Sequence, residues 1–166
     1  MQPEDQELLI ELLTQQRVAS MSVLVEDKPY IGMLPFVMSS DFGSALIHAS
    51  RLARHTAGLV PEAPFGLLVQ EPDHWKANPQ QLARVSFQGA VNPLIREDPS
   101  YESRGALYLE KFPKSRMTFQ LGDFRLYELR VETARFVAGF GKTFDLTPAE
   151  LEQLSQRSFQ AEGEPE

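Results

Sequence analysis

The chain changes its hydrophobic period once near its start and keeps the new period for most of its length. Over 4–16, Leu8, Leu9, Leu12 and Leu13 recur at helical spacing with Glu7, Glu11 and Gln15 opposite, which predicts an amphipathic helix. From Arg17 onward, β-branched and alternating residues predict strands at 18–26 and 29–38 around an Asp27-Lys28 turn. Ser39-Ser40-Asp41-Phe42-Gly43 has hairpin chemistry and leads into a short strand at 44–48. Ser50 is a good N-cap and Gly58 a good terminator, so 50–58 is expected to be a short helix. Strands are expected at 65–70 and 84–94, the second with Gly89 as a bulge or close-approach point. Between them, Glu71 to Pro79 is polar, proline-bounded and expected to be a loop. Asp98-Pro99 opens a helix through Phe112, which Pro113 stops. Strands at 124–131 and 134–138 end on Gly139-Phe140-Gly141, read as a turn that packs Phe140 inward. Thr147-Pro148-Ala149-Glu150 is a capping box for a last helix to about residue 156.

Strands that follow one another without regular crossover helices disfavour a parallel sheet. They predict a mainly β, α+β fold: an antiparallel barrel with peripheral helices. The 166 residues suit one domain, taken as 1–156, with 157–166 expected to be a disordered tail. Absence of cysteine removes thiolate nucleophiles, Fe–S clusters and Cys-type zinc sites. The three histidines, His48, His55 and His74, lack the spacing of a metal site. A net charge of −7, from 23 acidic and 16 basic side chains, argues against nucleic acid or an anionic membrane as partner. It leaves room for one small anionic ligand in a local basic cluster. No apolar run approaches the ~18–20 residues needed to span a bilayer. The acidic opening Met1-Gln2-Pro3-Glu4-Asp5 is followed by no signal segment. The expectation is a soluble, cytoplasmic protein that acts on a small molecule.

The most informative stretch is Ile47-His48-Ala49-Ser50-Arg51-Leu52-Ala53-Arg54-His55-Thr56. A strand end, a capping hydroxyl, two arginines and a histidine fall within about two turns. Helix N-termini attract anions, so one reading is a phosphate cradle built on Ser50, Arg51, Arg54 and His55. The other is a capping serine with solvated arginines.

Ser50-Arg51-Leu52-Ala53-Arg54-His55-Thr56 resembles the S-x-L-A-x-H-T run of the pyridoxamine-phosphate-oxidase-like flavoproteins, in the branch grouped with heme-utilisation proteins. Four further segments are similar to that family's in the same order. They are Pro29-Tyr30-Ile31-Gly32-Met33-Leu34-Pro35-Phe36, Arg84-Val85-Ser86-Phe87-Gln88-Gly89-Ala90, Phe112-Pro113 with Asp123-Phe124-Arg125-Leu126-Tyr127, and Phe136-Val137-Ala138-Gly139-Phe140-Gly141. The resemblance covers roughly residues 6–146, nearly the whole chain. The resemblance implies a split β-barrel of Greek-key connectivity and a homodimer with FMN in a groove between subunits. It would place Ser50, Arg51, Leu52, His55 and Thr56 around the phosphate and ribityl chain, with His55 as a protonated donor. Met33, Leu34, Pro35 and Phe36 would lie along the isoalloxazine, and Arg84 would reach the cofactor from the fifth strand. Two positions depart from the pattern: Gly58 stands where Asn is common and Gly32 where Ser is common. Gly58 is expected to alter a helix end. Gly32 either removes one hydrogen bond to the flavin or lets the ring come closer.

Elsewhere structural roles are expected. His48 reads as a satisfied histidine at a strand end, and Tyr101, Tyr108 and Phe112 as one packed helical face. Glu97-Asp98 reads as a helix start, and Lys111 and Lys114 as surface residues. Trp75 suits a ligand cover, an interface or a small satellite core.

An FMN-dependent oxidoreductase is the leading reading, with no general acid or base named by the sequence. The alternatives are a heme-binding protein, a non-enzymatic flavin binder, or a site that takes a deazaflavin in place of FMN. No histidine follows His74, which disfavours a C-terminal heme ligand. The C-terminal arginine and histidine pattern of pyridoxamine-phosphate oxidation is not found either.

Overall fold

Glu26 and Asp27 both take positive φ, 53° and 58°, the geometry of a two-residue hairpin turn whose twist matches its strands. That turn joins β1 (Val18–Val25) to β2 (Lys28–Met38), in register from Val25↔Lys28 to Val18↔Pro35. In this computed structural model, which describes residues 1–74 and 78–161, five more strands follow. They are β3 (Ser44–Ser50), β4 (Pro64–Gln70), β5 (Arg84–Leu94), β6 (Phe124–Gly139) and β7 (Lys142–Leu146). Three α-helices flank them: α1 (Pro3–Gln15), α2 (Tyr101–Lys111) and α3 (Pro148–Ala161).

The strand order is β3-β2-β1-β4-β5-β6-β7, every pairing is antiparallel, and β3 also pairs with β6. The last pairing closes six strands into a barrel and leaves β7 outside it along β6. After β3 the chain cannot pair onward; it crosses the ends of β2 and β1 to begin β4. That Greek-key crossing, residues 51–63, closes one end of the barrel. The fold is the expected mainly β split barrel with flanking helices.

Alternation sorts the side chains. Met21, Phe36, Ile47, Leu67, Phe87, Leu129 and Phe136 fill the interior and are essentially without solvent contact. Leu9, Leu12 and Leu13 of α1 and Leu151 and Leu154 of α3 belong to the same core. On the outside, α2 covers Val37, Leu46, Leu94 and Leu126 with Tyr108 and Phe112, and Tyr101 packs beside them. A buried carboxylate fixes that helix: Glu128 accepts hydrogen bonds from Ser44 Oγ (3.0 Å) and Asn92 Nδ2 (3.2 Å) and pairs with Arg104 (2.9 Å). A buried charge is tolerated only with such partners.

Several expectations need correction. The helix expected over 50–58 is absent. β3 continues through Ser50 because it pairs with β6, the chain then turns at 51–53, and only a 3-10 turn, Arg54–Gly58, remains. A nine-residue helix has little stability of its own, so the strand pairing wins. The two strands expected over 124–138 are one: Glu132 is the extra residue of a bulge in β6, opposite the Gln88/Gly89 step of β5, and the strand continues through it. β7 was not expected; its hairpin places Phe140 in solvent, 75 % exposed, not inward. α3 runs to Ala161, and 162–166 of the expected tail lie outside the described residues. Lys111 is not a surface residue: it is half-buried and its Nζ donates to the Gln16 carbonyl at 2.6 Å, joining the ends of α1 and α2. Trp75 also lies outside the described residues. Among those described, no helix is long and apolar enough to cross a membrane.

Two glycines are required by close approach. A Cβ at Gly89 would stand 1.9 Å from the Arg130 carbonyl oxygen, and one at Gly58 2.5 Å from that of Leu24. Gly89→Ala and Gly58→Ala are each expected to lower the unfolding free energy by about 2–3 kcal/mol in urea titrations. Gly122→Ala, where a Cβ meets nothing within 4 Å, should change it by less than about 0.5 kcal/mol. Equal effects at all three positions would refute the close-approach explanation.

Candidate functional site

The Greek-key crossing gathers most of the chemistry flagged in the sequence. Where β3 ends, the Arg51 N–H donates to the Asp123 carbonyl (2.7 Å), extending the β3–β6 ladder by one bond. Ser50 Oγ donates to Asp123 Oδ2 (2.6 Å) and accepts from the Leu52 N–H (3.1 Å). Thr56 Oγ1 donates to the Ser50 carbonyl (2.7 Å), and the Ala53 N–H donates to the same oxygen (3.1 Å). Ser50, Thr56 and Asp123 therefore hold the loop in shape. The helix N-terminus on which the anion cradle was premised does not exist.

What remains for an anion is a set of guanidinium groups. Register places Arg125 beside Ala49, next to Arg51 across the β3–β6 pair. Both cations act on the Tyr127 phenol, opposing the burial that pushes its pKa up. Arg54, at the start of the 3-10 turn, lies over the Tyr30 ring at 5.8 Å. Among the described residues, none of Arg51, Arg54 and Arg125 makes an ion pair. Arg125, Tyr127 and Asp123 were not singled out as site residues by sequence, although all three lie in the quoted Asp123–Tyr127 segment. Their signal was the alternation of β6, which sets Arg125 and Tyr127 on one face.

His55 packs over β2. A Cβ at Gly32 would lie 3.2 Å from His55 Nδ1, so the glycine makes space for the imidazole. Burial pushes the His55 pKa below its ordinary value, so without a ligand the ring is neutral near pH 7. Gly58 has the matching role on β1, letting the turn approach Val23 and Leu24.

The remaining expected residues divide. Met33, 72 % exposed, and Pro35 face outward beside this cluster, whereas Leu34 and Phe36 point into the core. Leu52 is 86 % exposed at the loop tip. Arg84 sits at the opposite end of the barrel. It pairs with Val137, thirteen residues beyond the Phe124 that pairs with Ser50, and its guanidinium donates to the Leu82 carbonyl at 3.0 Å. Within one chain it does not join the cluster. On the outer face of β1, β4, β5 and β6 lies an open groove of about 720 Å³, with Ser20, Ser22, Gly66, Ser86 and Thr133 along it and Ile31 at its rim.

His48 is structural. Its ring stacks on Phe119 at 4.0 Å, Thr118 Oγ1 lies 3.3 Å from Nδ1, and Tyr108 and Phe124 flank it. Among the described residues no group of three or more His, Cys, Asp or Glu is arranged to hold a metal ion.

Comparison with protein-family models and with curated proteins returns no match. Solved structures do match. A heme binding protein from Mycobacterium smegmatis aligns at TM-score 0.78 and 20 % identity over 92 % of this chain and 62 % of that one. HutZ, the heme storage protein from Vibrio cholerae, aligns at 0.65 and 21 % over 76 % and 90 %. A FAD-binding protein from Mesorhizobium loti aligns at 0.55 and 12 % over 77 % and 88 %. The chain thus spans less than two thirds of the Mycobacterium protein's length. At these identities the likeness is one of fold: the chain is a split β-barrel of the kind shared by those heme- and flavin-binding proteins.

Burial pushes the His48 pKa down to about 4 from 6.5. The unfolded chain then binds a proton that the folded one refuses, so stability is present above pH 6.5 and declines as pH falls through that value toward 4. His48→Phe should flatten the fall in urea midpoint between about pH 7 and about pH 5. An unchanged slope would show that His48 titrates normally.

Proposed function

We propose that the protein is a homodimeric flavoprotein that binds FMN by its phosphate at the Greek-key crossing and uses it to oxidise or reduce a small molecule. The observation that carries this reading is a charge anomaly. On a chain of net charge −7, Arg51, Arg54 and Arg125 collect at one barrel end with no acid paired to them among the described residues. Unpaired guanidinium forks suit a phosphate, whose oxygens accept bidentate, charge-assisted hydrogen bonds.

Arg51 and Arg125 would take the phosphate, with the Asp123–Ser50–Thr56 bonds holding Arg51 in place. The ring would lie along the outward edge of β2, at Met33 and Pro35. When bound, the flavin supplies the redox chemistry, and the protein supplies position and exclusion of water. Ile31 and Met33, each 72 % exposed, with Leu24 at 47 % and Val18 at 45 %, form an apolar outer face that a second copy would cover. Arg84, remote from the cradle within one chain, would reach a cofactor only across such an interface.

A second reading, heme binding, is favoured by what the Mycobacterium and Vibrio proteins bind according to their names. The absorption spectrum of the purified protein separates the two. Flavin gives paired bands in the blue and near ultraviolet, and heme gives a Soret band. Mass analysis of the released molecule separates FMN from a deazaflavin phosphate.

Arg51→Ala and Arg125→Ala are each expected to weaken FMN binding by about 10–100-fold, the loss of one charge-assisted hydrogen bond. Titration of the apoprotein by flavin fluorescence reads this directly, and wild-type affinity in both variants would refute the cradle. Sedimentation should show a dimer that Met33→Glu dissociates with loss of bound flavin. A monomer that retains FMN would exclude the shared site.

A further inference from the structure

β7 ends the sheet. It pairs with β6 alone, and its other edge takes no backbone hydrogen bond among the described residues. Thr143 and Asp145 are exposed along it. The N–H and C=O groups of such an edge form a template for another extended chain. Beside the edge lies a groove of about 470 Å³, with Thr143 and Phe144 of the strand, Gln153, Leu154 and Arg157 of α3, and Gln6 of α1 around it.

Charge is ordered along this groove. At the start of β7, Lys142 Nζ donates to Asp5 Oδ1 (2.9 Å), which holds the first turn of α1 against the strand. The adjoining Gln6 accepts a hydrogen bond from the Arg157 guanidinium, so Arg157 stands at the Lys142 end. It is exposed and has no carboxylate partner among the described residues. The acids belong to the other end and are held by their own chain. Asp145 is bound by Arg135 at 2.7 and 2.9 Å, and Glu150 accepts from the Thr147 N–H and Oγ1, both at 2.8 Å.

Direction follows from the sheet, in which every pairing is antiparallel. A chain added antiparallel to β7 runs from the Leu146 end toward Lys142, so its C-terminus arrives beside Arg157. A guanidinium fork is well matched to a terminal carboxylate. A basic residue near the start of the added segment would come abreast of Asp145 and Glu150. With a rise of about 3.4 Å per residue, the five residues of β7 span about 17 Å. An edge that short is a poor template for sheet growth, yet it accommodates a short tail.

We propose that the free edge of β7 docks the extended C-terminal tail of a partner protein, added antiparallel, with its terminal carboxylate on Arg157. Main-chain bonds to β7 supply affinity, and alternate side chains of the tail meet Phe144 and Leu154. β7 pairs with the end of β6 remote from the Ser50↔Phe124 pair, so binding here does not depend on a flavin at the crossing.

The test is backbone-amide NMR of the full chain, titrated with an N-acetylated pentapeptide, Lys-Val-Thr-Val-Val, that ends in a free carboxylate. The amides of 142–146 should shift as it binds. The same peptide amidated at its C-terminus should bind about tenfold more weakly, the loss of one charge-assisted contact. Arg157→Ala should cost the free peptide the same factor and the amidated peptide nothing further, and Arg157→Lys should recover part of the loss. Amidation leaves the protein untouched, so a folding defect in a variant cannot imitate its effect. Equal affinity of the free and amidated peptides, or β7 amides that do not move, would overturn the proposal. Shifts of those amides with protein concentration in the absence of peptide would assign the edge to a second copy of this chain and overturn it as well.

Discussion

The antiparallel pairing of β3 with β6, from Ser44↔Arg130 to Ser50↔Phe124, is the constraint on which the rest of the molecule depends. It closes the barrel, and it also decides what β3 does next. Paired with β6 through Ser50, β3 cannot turn into a helix there, so the chain leaves through a turn at 51–53 and crosses two strand ends before β4. The last bond of the ladder, Arg51 N–H to the Asp123 carbonyl, fixes where Arg51 begins. Alternation on β6 then puts Arg125 and Tyr127 on the same side. Strand register, not a helix dipole, is what brings cations together at this end.

The electrostatics follow from that placement. A chain with an excess of acid elsewhere leaves these guanidinium groups without carboxylate partners among the described residues, and Asp123 is taken by Ser50. Like charges held close in the folded state repel one another, at a cost that an anionic ligand would relieve. The imidazole of His55 packs over Gly32, and burial pushes its pKa below the ordinary value. Gly32 and Gly58, departures from the resembled pattern, are both explained by packing: each makes room for the crossing segment against a strand.

Much of the fold was legible because alternation and turn chemistry are local. β1, β2, β5, the close approach at Gly89, the capping box at Thr147 and the buried face of α2 all follow from neighbouring residues. The 50–58 segment was misread because Ser50, Leu52 and Gly58 have good local helix signals, while the competing pairing partner, Asp123 and the strand after it, lies more than seventy residues away. β7 escaped for a similar reason, being five residues whose strand pairing is with β6 alone. At the site, Arg51 and His55 were visible as residue types in a suggestive run. Arg125 was not, since only the closed barrel makes it their neighbour. Arg84 shows the converse: its segment matched a motif, but its strand position sets it at the far end of the barrel.

The most direct test of the cradle compares FMN with riboflavin, which differ only by the phosphate, in fluorescence titrations of the apoprotein at low and high salt. Two charge-assisted contacts should make FMN bind about 100-fold or more tightly, and the ratio should narrow as salt rises. Equal affinities, unaffected by salt, would contradict a phosphate held by Arg51 and Arg125.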